Sequence, residues 1–226
     1  MAGAEKLAAI SALARATYLK RHTDYIAGLW RDSIIPGLTW RRQGPRGQKN
    51  KAYNCPSWSW ASQDSIVSYQ WAGEQRGEGL FMPQVLDVIW EPDSANMFGD
   101  VRSAHIVLDT TITTGGVMPD HFRRYEPFQH DAHYIQAVII SDPERAVLWH
   151  ATATMDDAGV GGKMVAVAVL STYYSERIFL LLDPPDLDAE EYRRVGIAIM
   201  GCSDGENPKV QGDIASGWKR ITIKLV

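Results

Sequence analysis

Cysteine is nearly absent from this chain: Cys55 and Cys202 are the two thiols among 226 residues. Two such distant residues make no disulfide framework and match no zinc-knuckle spacing. They suit a reducing compartment, where thiols stay reduced. Long apolar runs are lacking too. The longest, such as Ile178 to Leu182, are strand-sized, and Met1 to Lys20 is broken by Glu5, Lys6 and Arg15. That excludes a signal-peptide core and a membrane-spanning helix. Nor is there an excess of positive charge, since 23 Lys and Arg stand against 27 Asp and Glu for a net charge of -4. A broad basic footprint for nucleic acid is therefore missing. These absences predict a soluble, cytoplasmic protein with no nucleic-acid and no membrane partner.

The familiar catalytic signatures are missing as well. No GxxxxGK[ST] cradle occurs, no GxGxxG between a strand and a helix, no G-x-S-x-G elbow, no HExxH and no CxxC. Gly159-Val-Gly-Gly162 has no basic partner in place and reads as a turn. Nucleotide-dependent chemistry and the common hydrolytic mechanisms lose their support, and no cofactor is expected.

Aromatic residues, by contrast, are plentiful: eight Trp and nine Tyr in a chain that is 45% hydrophobic. The densest piece is Asn54-Cys-Pro-Ser-Trp-Ser-Trp-Ala-Ser62. On a strand, Trp58 and Trp60 would share one face while Ser57, Ser59 and Ala61 take the other. Two indoles on one face suit a packed barrel interior or the wall of an apolar pocket.

The periodicity predicts an amphipathic helix from about Glu5 to Leu19, with Leu7, Ile10, Leu13, Ala14 and Tyr18 on its apolar face. Asp24 is placed to cap a short helix through Trp30, and Asp32 another that ends near Pro36-Gly37. Trp40 to Lys51, with five basic residues among Gly, Pro and Gln, reads as a solvated loop. Strands are expected over 58–62, 66–71, 80–90, 101–113, 134–141, 164–172, 176–182, 192–200 and 218–226, and a polar loop over 115–133. Helices first and then many strands argue for an α+β fold with a predominantly antiparallel barrel or sandwich. A single domain is expected over 1–226, with a helical segment at 1–40 and a β-rich part at 53–226.

His130-Asp131-Ala132-His133 is the densest group of titratable side chains, with His121 close by. Imidazole titrates near neutral pH and binds transition metals, so an acid–base or hydrogen-bonding role is one reading. The spacing matches no zinc signature, so no metal is assigned, and a plain polar loop explains the same residues. Tyr173 and Tyr174 lie at the turn of the expected hairpin. At a barrel mouth a phenol could donate to a substrate carbonyl, although paired tyrosines at strand ends are also common packing residues.

Several segments together resemble the region that follows the N-terminal signature domain of fungal heterokaryon-incompatibility proteins. They are Tyr25-Ile-Ala-Gly-Leu-Trp30, Gly37-Leu-Thr-Trp-Arg41, Pro56-Ser-Trp-Ser-Trp-Ala-Ser62, Tyr192-Arg-Arg-Val-Gly196 and Ile221-Thr-Ile223. The signature domain itself, similar to TIR domains, has no counterpart here. The resemblance implies a fungal source. It also implies kinship with free-standing relatives of natural-product pathways, some of which are cofactor-free cyclases or Diels–Alderases.

The leading expectation is accordingly a cofactor-independent, pericyclase-like cyclase of secondary metabolism, an isomerase that folds an apolar polyene or terpenoid-type substrate in an aromatic pocket. Its catalytic candidates are His133, Asp131, His130 and Tyr173; its substrate-binding candidates are Trp58, Trp60, Tyr69, Trp71 and Tyr174. The alternative is a non-catalytic recognition or regulatory module related to the same proteins. A homo-oligomer is compatible with either.

Overall fold

The computed structural model describes residues 6–43, 55–69, 82–119, 135–142, 147–156, 159–173, 176–201 and 217–226. Helix α1 (Lys6–Arg21) leads into a hairpin of two short strands, β1 (Tyr25–Ile26) and β2 (Leu29–Trp30). A 3₁₀ turn over Arg31–Ser33 runs into the single turn α2 (Ile34–Gly37). Strand β3 (Trp40–Arg42) pairs antiparallel with β4 (Val67–Tyr69) as a small ribbon, with a 3₁₀ turn over Trp60–Ser62 between them in sequence.

The remainder is strand: β5 (Gln84–Pro92), β6 (Val101–Val117), β7 (Ile135–Asp142), β8 (Val147–Met155), β9 (Met164–Tyr173), β10 (Glu176–Asp183), β11 (Glu191–Gly201) and β12 (Lys219–Leu225). They form one sheet in the order β10–β9–β6–β12–β11–β8–β7, with β5 on β6. Its pairings are antiparallel except for a short parallel contact of β11 with β12. Strand β10 also pairs with β11, and β6 also pairs with β7, so the sheet curls into a sandwich-like, partial barrel. The 17-residue β6 makes this curl workable: its first half carries β5 and β12, its second half β7 and β9.

Strands β9 and β10 are buried on both faces, which explains their unbroken apolar sequence. Ala166, Ala168, Leu170, Ile178, Leu180 and Leu182 face a cluster with Ile106, Leu108, Ile223, Leu225 and the N-terminal Leu7, Ile26, Leu29 and Leu38. Val165, Val167, Val169, Phe179 and Leu181 face a second cluster with Val138, Ile140, Ala153 and Met155. Each fully buried Leu or Ile contributes about 1.5–3 kcal/mol relative to exposure.

Several expectations change. Residues 25–30 form a hairpin and not a helix, because Ala27 and Gly28 both take positive φ, 46° and 98°, as a two-residue turn requires. Trp58 to Ser62 is a turn followed by a 3₁₀ turn, so Trp58 and Trp60 do not share a strand face. Trp40 to Arg42 is strand instead of solvated loop, with Trp40 and Arg42 both buried. Leu13 is 70% exposed, so the apolar face of α1 is narrower than its spacing suggested. Gly115 to Val117 belongs to β6 and not to the polar loop. Strand β8 falls outside the expected strands. No helix among the described residues is long and apolar enough to cross a membrane.

Candidate functional site

Pro56 to Ser62 resists strand formation because its serines capture backbone groups locally. Ser59 N donates to Pro56 O at 3.0 Å, the Ser59 hydroxyl accepts from Ala61 N at 3.1 Å, and Ser62 Oγ donates to Ser59 O at 2.7 Å. The chain therefore tightens, and its side chains diverge. Ser59 Oγ donates to Ala27 O at 2.6 Å, and Trp60 Nε1 donates to Gly28 O at 2.9 Å. Both carbonyls of the β1–β2 turn are thus held by one short segment. A Cβ on Gly28 would lie 2.5 Å from Trp60 Nε1, so only glycine fits both the φ and the space.

Ser57 ties the same segment to the far end of the sequence. Its N–H and Oγ–H both donate to Val226 O, and its Oγ accepts from Arg194 N at 2.9 Å. Trp58 O accepts from Trp40 Nε1 at 2.8 Å. At the centre lies Arg194, 1% exposed. Its Nε donates to Asp156 Oδ2 at 2.8 Å, its Nη1 to Leu38 O at 2.8 Å and its Nη2 to Trp40 O at 2.5 Å. Its Cζ lies 3.4 Å from the centroid of the Trp40 ring. Burying a guanidinium costs several kcal/mol unless charge and hydrogen bonds offset it; here a carboxylate, two carbonyls and an indole face do so. Burial pulls the Arg194 pKa down and the Asp156 carboxylate opposes it. An arginine stays charged regardless.

Four of the five segments that carry the family resemblance meet in this knot: 25–30, 37–41, 56–62 and 192–196. The fifth is the middle of β12, whose end leads to Val226. The Ser57, Ser59, Trp40, Trp60 and Arg194 side chains are occupied with internal bonds.

Beside the knot the surface opens at the β3–β4 ribbon. Trp40 is opposite Tyr69, which is half-exposed at 49%, and Ile66 nearby is 75% exposed. Burial raises the Tyr69 pKa while Arg194 opposes the rise, so the phenol keeps its proton at neutral pH. Burial likewise pushes the Tyr25 phenol above its ordinary range, with Tyr69 and Cys55 adding to the rise. The Tyr25 ring packs on Trp30 at 4.8 Å. What the arrangement offers chemically is a protonated phenol and an apolar side chain on a ribbon clamped from behind.

Of the residues expected to form a site, Trp58 is 0% exposed and Trp60 half-buried, and Tyr69 lies at the open edge. Tyr173 is the last residue of β9, paired with Glu176. His130, Asp131, His133, Trp71 and Tyr174 lie outside the described residues. Among the described residues no three His, Cys, Asp or Glu come together as a metal site. Sequence reasoning missed Arg194, Asp156 and Ser57. Arg194 falls two residues after the buried Tyr192, and that inward alternation was the one available signal. Asp156, just past the end of β8, gave none.

No family model, curated protein or solved structure matches this chain.

Proposed function

We propose that the chain is a non-catalytic recognition module, related to the regulatory machinery of the proteins it resembles. The observation that carries this reading is the division of labour around the knot. Trp40, Trp58 and Trp60 are committed to the scaffold, while Ile66 and Tyr69 are displayed on a ribbon backed by buried bonds. Rigid display of a half-exposed tyrosine favours protein contact, because little side-chain entropy is lost on binding. The test is a photo-crosslinking residue placed at position 66 in the native host. A defined protein adduct, lost when Tyr69 is changed to Ala, supports the proposal; absence of any adduct overturns it.

A second reading, the cofactor-independent cyclase, is favoured by the Tyr69 phenol, which holds its proton and is half-open to solvent. Such a donor stabilises charge developing on a conjugated carbonyl. In this reading His130, Asp131, His133 and Tyr173 are the catalytic groups, and Trp71 and Tyr174 help bind an apolar substrate. Incubation with a linear polyene precursor decides it: product ratios must differ from buffer, and Tyr69→Phe must move them back.

A further inference from the structure

Helix α1 has two apolar faces, and the fold uses one of them. Leu7 and Ala14 are 0% and 4% exposed, and Ile10 and Tyr18 pack beside them, with the Tyr18 ring 5.5 Å from that of Phe98. On the opposite side Ala9, Ala12, Ala16 and Leu19 are exposed, Leu19 at 65%. Their spacing puts them in one line along the helix, as the a and d positions of a heptad do. Leu13, 70% exposed, flanks that line on one side with Lys20, and Arg15 flanks it on the other. A surface helix ordinarily turns polar residues to water along this face.

The charges along α1 are of one sign, since Lys6 to Arg21 contains no Asp or Glu. Arg21, Arg31, Arg102, Lys219, Arg220 and Lys224 each meet a carboxylate. Arg15 and Lys20 have no such partner among the described residues. Both stand where the e and g residues of a heptad contact a second helix, so the matching occupant carries acid at its own flanks. A second copy of α1 offers only cations, and a parallel pair would set Arg15 against Lys20. Nor does a membrane surface fit this face. Three alanines at its centre bring little apolar area to insert, where interfacial helices rely on Leu, Phe and Trp. Small side chains suit instead the close approach of another helix, at the lower end of the usual axial separation of about 8–10 Å.

We propose that the outer face of α1 receives an amphipathic helix of a partner protein. Its apolar stripe lies on Ala9, Ala12, Ala16 and Leu19, and its Asp or Glu residues stand against Arg15 and Lys20. This goes beyond the recognition surface at Ile66 and Tyr69 and does not depend on it. The test follows the fluorescence anisotropy of two labelled synthetic helices, each about three heptads long with Leu at a and d. One carries Glu at every e and g position, the other Lys. The full chain binds the Glu helix saturably and the Lys helix at least about tenfold more weakly, and added salt narrows the gap. Ala12→Arg blocks the close approach and weakens the Glu helix at least about tenfold, while the melting temperature holds because the site is exposed. Arg15→Glu combined with Lys20→Glu reverses the preference, which general stickiness of an apolar face cannot do. No saturable binding of the Glu helix, equal affinity for the two helices, or full affinity in Ala12→Arg overturns the proposal. So does a preference that survives the double charge reversal, or binding of phosphatidylserine vesicles in place of the Glu helix.

Discussion

Arg194 and Thr111 are both buried polar residues of the same sheet, and they have been treated in opposite ways. Around Arg194 the chain gathers a carboxylate, two carbonyls and an indole face from two distant parts of the sequence. Around Thr111 and Trp218 it gathers Val169 and Phe179 and leaves a hydroxyl and an N–H without acceptors. The first arrangement is a closed joint: removing any piece breaks something. The second is under-satisfied, and removing its polar atoms relieves a cost. Mutations at the two places are expected to move stability in opposite directions.

Arg194→Met gives the largest effect. It takes the Arg194 guanidinium away from the Asp156 carboxylate, itself 1% exposed, and the expected loss is about 3–5 kcal/mol in urea unfolding. Adding Asp156→Leu to that variant recovers part of the loss, because the buried carboxylate is then removed along with its Arg194 partner. Gly28→Ala tests the other arm of the joint. Its Cβ meets Trp60 Nε1 at a φ of 98°, so a loss of about 1–3 kcal/mol is expected, with the Trp60 to Gly28 bond broken.

Thr111→Val sharpens the contrast, since it removes an orphan hydroxyl at nearly constant shape. The chain becomes more stable by about 1 kcal/mol, read from the denaturation midpoint. A loss in its place would show that the hydroxyl is satisfied in solution. The smallest effect belongs to the surface. Partial burial by itself would raise the Asp32 carboxyl, but hydrogen bonds from Arg21, at 2.5 Å, and Ser33 hold it below its ordinary value. A folded pKa below the unfolded one contributes stability above the ordinary carboxylate range, lost as pH falls through the folded value. Both side chains are more than a third exposed, so the contribution is screened to about 0.5 kcal/mol or less. Arg21→Ala should flatten the acid limb of the stability profile by no more than that.

Much of the fold was legible before any coordinates. The unbroken apolar runs of β9 and β10 and the alternation in β11 and β12 marked strands, and the alanine-rich start marked α1. These signals are local: period, β-branching and the positions of turn residues. The Pro56 to Ser62 segment misled for an equally local reason. Alternating indoles imitate a strand, but serine hydroxyls beside a proline satisfy the backbone without one. Tyr25 to Trp30 misled because the Ala27-Gly28 turn relies on Ser59 and Trp60, residues about thirty positions away.

The sequence by itself determined that this chain is rich in strands, poor in the signatures of nucleotide and hydrolytic chemistry, and marked by a tryptophan-rich core motif. Tertiary structure alone decided what that motif is for. Whether an indole lines an opening or clamps a turn depends on which carbonyl stands opposite its N–H. Whether an arginine is surface or centre depends on which carboxylate the sheet brings to it. Those partners come from remote positions, and no pattern within a short window encodes the meeting.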